Sequence, residues 1–403
     1  MRVCAGLAAG SRPWREGMLV GRAYVFGFGA TGEAVVAGAI EIIRAELTVG
    51  SPMIDEHKLQ QFLKKMLTDF GAAMSVPLVR IGIRLGLYKT LDQAGPMTSL
   101  EFATSANISE RYAREWLAQN AASGYLSYDP ASRKFALPPE QAMVFANDES
   151  PFFMGGGFDA VAALHQTQFL VEEAFKSGSG VNWGDHARCL FCAIGAMLRP
   201  RYAANIVQNW LPALEGVVAK LERGAHVADI GCGTGTSTLI MAKAFPNSTF
   251  VGYDFHEPSI EHATVLARQS GGASNARFEV AQAKDFPAKD LDLVTCFDVL
   301  HDLGDPVGAA AHIHRSLKPD GTWMLMEPLA GDATEDNLGP VGRVAYAFST
   351  MACVPVSLSQ EVGLALGAQA GQAKLTEVIK AGGFRQVRRA AETPVNMVLE
   401  ARP

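Results

Sequence analysis

Asp229, Gly231, Gly233 and Gly235 fall in the run Val-Ala-Asp-Ile-Gly-Cys-Gly-Thr-Gly-Thr-Ser-Thr, which spans Val227–Thr238. Glycine lacks a Cβ, so a backbone rich in it can approach a ligand closely. An apolar helical pattern follows through Leu239, Ile240, Ala242 and Phe245. A helix that starts here offers free N–H groups to polar ligand atoms. Downstream, Thr249–Tyr253 reads as a strand ending at Asp254, where a ribose meets a carboxylate in nucleoside-binding sheets. A second cluster is His301-Asp302, near the end of the run Leu291–Asp302. Histidine titrates near neutrality and suits general acid–base work.

These residues need a scaffold, and the pattern from about residue 217 supplies one. Strands are expected at His226–Ile230, Thr249–Asp254, Ala276–Val280, Leu291–Cys296 and Thr322–Met326. Helices are expected between them at Thr236–Phe245, Ser259–Gln269 and Val307–Ser316. This alternation implies a parallel sheet with right-handed crossovers. Helix Ala373–Ala381 and two closing strands, Arg385–Ala390 and Val395–Ala401, end the pattern. Pro328–Gln372 is long for a connection inside a compact domain, which points to a functional cover. Its apolar positions and glycines suit a wall of an acceptor pocket, shared with helices of residues 140–210; an interface helix is the other use.

The glycine spacing is G-x-G-x-G with Asp229 two positions ahead, unlike the G-x-G-x-x-G of dinucleotide enzymes. With Asp254, Ala283–Pro287, Leu291–Asp302 and the turn Leu317-Lys-Pro-Asp-Gly321, it resembles the class I S-adenosylmethionine-dependent methyltransferases. With the region before it, the chain is similar to bacterial winged-helix methyltransferases, and more distantly to plant-type small-molecule O-methyltransferases. The resemblance implies an α/β fold with a Rossmann-like seven-stranded sheet behind a mainly helical winged-helix domain. It implies S-adenosylmethionine as cofactor, with Gly231, Gly233 and Gly235 lining it and Asp229 orienting its methionine end. Asp254 would take the ribose hydroxyls and Phe255 would stack on adenine. Gln282 and Ala283 are adenine-side candidates, although the family often has an acidic residue where Gln282 stands. Phe297 and Asp298 would face the cofactor. The His301-Asp302 pair would supply the base for O-methylation of a small, mostly apolar acceptor, with no metal.

Residues 53–145 are expected to form the winged-helix and dimerisation domain. Helices dominate Met53–Leu91, with Val76–Leu87 as a second apolar run interrupted by Pro77. Ser99–Thr104 and Glu110–Ser123 read as a helix-turn-helix, and Tyr125–Leu137 as the hairpin wing. The charges on that unit balance, so it lacks the positive surplus that DNA phosphates demand. Residues 146–216 are expected to be a helical linker and substrate cover. Phe158–Phe175 reads as one helix, and Val181–His186 either reaches the active site or caps the next helix. Cys189-Leu-Phe-Cys192 has C-x-x-C spacing without a second pair, which fits packing cysteines.

The 403 residues carry a net charge of −6 and are 48% hydrophobic, a balance that speaks against a dedicated nucleic-acid binder. Scattered cysteines point to a reducing, cytoplasmic setting, and no run of about 18 apolar residues predicts a membrane span. The apolar helices of residues 57–91 suggest a homodimer. Residues 1–52 read as a poorly ordered extension, with Met53 a natural start for the folded part. Gly27–Gly32 within it matches G-x-G-x-x-G but lacks a surrounding βαβ unit. Two other functions fit parts of the chain: a winged-helix transcription regulator and a non-catalytic S-adenosylmethionine-binding protein.

Overall fold

The computed structural model describes residues 54–269 and 273–403. The expectations for residues 1–52 and for the Gly27–Gly32 motif lie outside them. Contacts divide the chain into two units, Met1–Gly71 and Ala72–Pro403.

The first helix, α1 (Glu56–Arg84), carries Pro77 inside it, so the expected pair of helices is one. Ser75, Val79 and Gly82 recur on its buried side, and that shared stripe continues through the proline. Then come α2 (Leu87–Ala94), α3 (Ser99–Ser105) and α4 (Glu110–Ala122), followed by the hairpin β1 (Ser127–Asp129) and β2 (Lys134–Ala136). Their core holds Leu87, Tyr88, Phe102, Trp116, Leu117 and Phe145, the last on α5 (Pro139–Phe145). This is the expected helix-turn-helix with its wing.

The linker helices are α6 (Gly155–Gln166), α7 (Gln168–Ser177) and α8 (Cys189–Asn205). The single helix expected at Phe158–Phe175 breaks at Thr167, whose hydroxyl lies 3.3 Å from His186 Nδ1. After α8 a π-helical turn, Ile206–Trp210, and a 3₁₀ turn, Leu211–Ala213, end the run at Pro212.

The remaining elements are α9 (Val217–Arg223), β3 (His226–Ile230), α10 (Thr236–Ala244), β4 (Thr249–Asp254), α11 (Glu257–Gln269), β5 (Ala276–Val280), β6 (Leu291–Phe297), α12 (Pro306–Ser316) and β7 (Leu317–Pro328). In the cover, α13 (Pro340–Phe348), a π-helical turn (Ser349–Cys353) and α14 (Val354–Leu358) form a continuous helical run; α15 (Gly371–Ala381), β8 (Gln386–Glu392) and β9 (Asn396–Arg402) close the chain. The sheet order is β5-β4-β3-β6-β7-β9-β8, with β9 antiparallel to both neighbours and the rest parallel. Strand β7 begins earlier than expected because Leu317 already pairs with Leu291 before a register shift.

The strand order reverses at β3: the chain steps out to β4 and β5 on one side, then returns to β6 and β7 on the other. In open sheets the crevice for a ligand opens there, past the strands' carboxyl ends. Buried Ile230, Val294, Cys296, Trp323, Leu325 and Leu399 fill one face of the sheet. Trp210, Met241, Phe250, Leu293, Met324 and Val398 fill the other. Among the described residues two stretches, Glu56–Arg84 and Pro340–Leu358, reach by length and mean hydropathy what a membrane span requires. The sequence predicts no span, because neither stretch is an uninterrupted apolar run; each reaches that mean as an average over apolar and polar positions.

Candidate active site

The glycine turn joins β3 to α10 at the crevice. Gly231, Gly233 and Gly235 have φ of 68°, 53° and 80°, left-handed values that glycine adopts without strain. A Cβ on Gly231 would stand 2.5 Å from the Val299 side chain, whereas one on Gly233 would project into open space. Gly231 and Gly233 line the cleft, with Thr234, Thr236 and Ser237 from the start of α10. Gly235 does not line it; its place is against Phe278 and Ala263.

Asp254 ends β4 and lines the same cleft. Its carboxylate accepts the Gly233 N–H at 2.9 Å and the His256 N–H at 2.9 Å. Burial raises its pKa, and those two N–H groups pull the other way. The remaining lone pairs suit ribose hydroxyls. Phe255, half exposed beside it, lines the cleft and an adjoining recess. Ala283 lines both spaces, and Gln282 lines only the recess. Lys284 and Glu361 pair across that recess, tying the loop after β5 to the cover.

Asp229 differs from its expected place against a cofactor. It is buried and absent from the cleft wall. Its carboxylate accepts hydrogen bonds from Ser237 at 2.7 Å, Thr238 at 2.6 Å and Thr295 at 2.8 Å. It therefore clamps β3 to α10 and β6 and holds the glycine turn from behind. Ile230, the next residue of β3, lines the cleft instead, because neighbouring side chains of a strand point to opposite faces, a distinction that motif spacing does not carry.

The cleft's other end lies past β6. Phe297 lines it and packs on Tyr202 and Trp210, with ring centroids 5.3 and 6.3 Å away. Asp298 lines it with φ of 58°, an uncommon backbone for a non-glycine residue. Its Oδ1 is buried without a partner. Burial pushes the Asp298 carboxyl up to about 7, with the His301 charge opposing and Glu327 reinforcing.

His301 and Asp302 follow. Asp302 lines the cleft, while His301 sits behind it, buried. His301 Nδ1 is 2.5 Å from Glu327 Oε2. Its Nε2 is 3.2 Å from Asp302 Oδ1, an ionic contact outside hydrogen-bond geometry. Burial opposes a charge on this ring, but Asp302 and Glu327 outweigh it and hold the pKa well above the ordinary histidine value. Glu327 is fully buried on β7 and also accepts the Leu300 N–H at 2.8 Å. The sequence reading missed it. A lone carboxylate in Met324-Leu-Met-Glu327 was the available signal, since a buried charge needs a partner. Burial pushes the nearby Cys353 thiol up to about 12.

Apolar walls complete the cleft: Trp183, Phe191, Ile194 and Leu198 from the linker region, and Val356 from the cover. Of Val181–His186, Trp183 lines the cleft. The cover is fastened to the loop after β6, because Leu364 N–H reaches Gly304 O at 2.9 Å and Ser357 Oγ reaches Leu303 O at 2.8 Å. Including its open mouth, the cleft has about 1050 Å³ of space. A nucleoside-bearing cofactor suits the glycine turn and Asp254, and the cleft continues from there to Asp302.

A family model described as "Methyltransferase domain" matches residues 221–381. The chain carries a class I methyltransferase domain. Ahead of it, residues 72–147 match an "Rv2258c-like winged HTH domain". The ubiquinone biosynthesis O-methyltransferase of Thiobacillus denitrificans is 32% identical over 122 residues, 30% of this chain and 50% of that protein. The chain thus spans about half the length of the curated relatives it matches. A putative O-methyltransferase structure from Nostoc punctiforme superposes with TM-score 0.65 at 18% identity, covering 84% of this chain and 98% of that one. Human N-acetylserotonin methyltransferase, solved with S-adenosylmethionine, superposes with TM-score 0.60 at 16% identity, covering 88% and 99%. At such identities the structures attest the fold, and the methyltransferase domain here shares it.

Proposed function

We propose that this methyltransferase passes the methyl group of S-adenosylmethionine to a hydroxyl oxygen of a small, mostly apolar acceptor. The observation that carries this is one cleft with two chemically different ends. Asp254 and the glycine turn stand at one, and the series Glu327–His301–Asp302, buried except for Asp302, stands at the other. Structural neighbours named as O-methyltransferases support the choice of oxygen.

When bound, the donor's sulfonium supplies an electrophilic methyl carbon. Asp254 would hold the ribose and Phe255 would cover the adenine. Trp183, Phe191 and Val356 exclude water from the cleft, and positioning of the acceptor against the donor can supply up to roughly 7–11 kcal/mol. Glu327 fixes Nδ1 of His301 as the protonated nitrogen and leaves Nε2 to take the acceptor's proton. His301 does so from its neutral form, with the acceptor hydroxyl in place of the Asp302 contact. Because those carboxylates hold His301 protonated well above its usual range, turnover should climb with pH beyond that range.

The test is incubation with methyl-labelled donor and a panel of phenols and other hydroxylated apolar molecules. Label in an ether product is expected; label carried only on nitrogen or carbon would defeat the oxygen assignment.

A winged helix also raises DNA binding, but on α4 Arg111 pairs with Glu115 and Arg114 with Glu110, which leaves little free positive charge. Titration with duplex DNA at low salt separates that reading. A homodimer and a cytoplasmic setting belong to the same proposal. The exposed Phe62, Leu67, Phe70 and Met74 of α1 support the first, and free cysteines among the described residues support the second. Light scattering tests the dimer.

A further inference from the structure

One helix outside the matched methyltransferase segment reaches into the cleft. It is α8, which ends before residue 221, where the family match begins. Phe191, Ile194, Gly195, Leu198 and Tyr202 recur on it at helical spacing, and all five line the cleft. Gly195 lets the helix press against the glycine turn, because a Cβ there would stand 2.6 Å from Thr234 Oγ1. Tyr202 lies two turns further on and is the only one of the five with a polar side-chain group.

Tyr202 is 5% exposed, and its ring packs on Phe297 and Trp210. Its hydroxyl makes no hydrogen bond among the described residues, although a buried tyrosine normally finds a partner for that group. Burial holds the hydroxyl's pKa far above its usual range, and the Asp298 charge reinforces this. The group therefore keeps its proton and is set to donate it to an acceptor atom of a ligand.

Charge decides which atom that is. A methyl donor with its sulfur toward Asp298 brings its amino-acid tail, one ammonium and one carboxylate, to the same end of the cleft. Asp254, Asp298 and Asp302 on the cleft wall suit cationic groups and repel a carboxylate. Two donors of the glycine turn are already committed, the Ser237 hydroxyl to Asp229 and the Gly233 N–H to Asp254. The Tyr202 hydroxyl is uncommitted.

We propose that the Tyr202 hydroxyl donates a hydrogen bond to the carboxylate of the methyl donor's amino-acid tail, so that the linker helix α8 completes the donor site. The contact rests on a donor whose sulfur lies toward Asp298, and not on the identity of the acceptor. It makes the protein select a donor that carries its full tail.

Calorimetric titration of the full chain with S-adenosylmethionine and with its decarboxylated form tests this, since the two differ only in the tail's carboxylate. Tyr202→Phe removes the hydroxyl and keeps the ring on Phe297 and Trp210, so the denaturant midpoint should stay near wild type. Its affinity for S-adenosylmethionine should fall by roughly 10–100-fold, as for a lost hydrogen bond to a charged group. Its affinity for the decarboxylated form should match wild type. A tyrosine that only supports the fold would weaken both ligands together, and that result would overturn the contact. Unchanged affinity for both, or an effect confined to the KM of the acceptor, would overturn it too. Methyl transfer by a Tyr202→Phe protein of unchanged donor affinity rejects the contact and keeps the methyl-transfer reading. Selectivity that Tyr202→Phe abolishes, in a protein that methylates no acceptor, supports the contact and counts against that reading.

Discussion

The two ends of the cleft handle buried charge in opposite ways. At the glycine-turn end, Asp229 is met by three hydroxyls and Asp254 by two backbone N–H groups. Past β6, the carboxylates Asp298, Asp302 and Glu327 crowd around one imidazole, and Asp298 Oδ1 and Asp302 Oδ1 accept no hydrogen bond. Buried polar groups are normally paired, and an unpaired one costs free energy. The first end is therefore a finished scaffold, set before any ligand arrives. The second is left for a ligand to complete.

That contrast predicts where substitutions act. The largest effect should come from His301→Ala, which removes the centre of the unfinished end. Turnover should fall by roughly 10²–10⁴-fold while donor affinity stays near wild type. Rate assays with calorimetric donor titration check both halves, and an equal loss in the two would erase the division between ends.

Asp229→Ala should do the reverse, acting on the scaffold. It strands three hydroxyls inside the protein, for a loss of about 3 kcal/mol in denaturant unfolding. Donor affinity should fall only as the turn loosens. If stability held and donor binding alone vanished, Asp229 would be touching the cofactor after all.

The glycines sharpen the comparison within the turn. Gly231→Ala meets both its left-handed φ and Val299, so unfolding should register a loss of roughly 1–3 kcal/mol. Gly233→Ala meets only the backbone cost, about 1 kcal/mol, but its methyl enters the space reserved for the donor. It should therefore lose donor affinity out of proportion to stability.

The smallest effect is a proton. The Asp298 carboxyl is raised to about 7, so folding favours its protonated form. The stability it contributes is complete below the ordinary carboxylate range and is lost as pH rises through about 7. A cationic donor prefers the ionised form. Its affinity should rise up to about tenfold per pH unit on approaching pH 7 and flatten above it. Arg201, His301, Asp302 and Glu327 are the charges that tune Asp298. Asp298→Asn should remove the slope seen by calorimetry across that range.

The finished end was largely legible in the sequence. A strand, a glycine turn and a helix start are local features, and Gly231, Gly233 and Asp254 stand where their spacing placed them. Asp229 was legible as part of the motif but not in its contacts, because those come from Thr295 on another strand as well as from α10. The unfinished end was legible only in part. Asp298 and Asp302 follow β6 as expected, yet Glu327 reaches His301 through the pairing of β6 with β7, where Phe297 opposes Met326. Cys353 arrives from the cover, whose fold depends on contacts with the loop it closes over. The break at Thr167 and the unbroken α1 likewise follow from tertiary partners, His186 and a continuous buried stripe, that outweigh local pattern.

The central claim is that the methyl donor lies with its ribose at the finished end and its sulfur toward the unfinished one. A crystal structure with S-adenosylhomocysteine tests it directly. The account predicts ribose hydroxyls on the Asp254 carboxylate, adenine against Phe255 and sulfur on the side of Asp298. A nucleoside lying in the opposite sense, or bound outside the cleft, would contradict it.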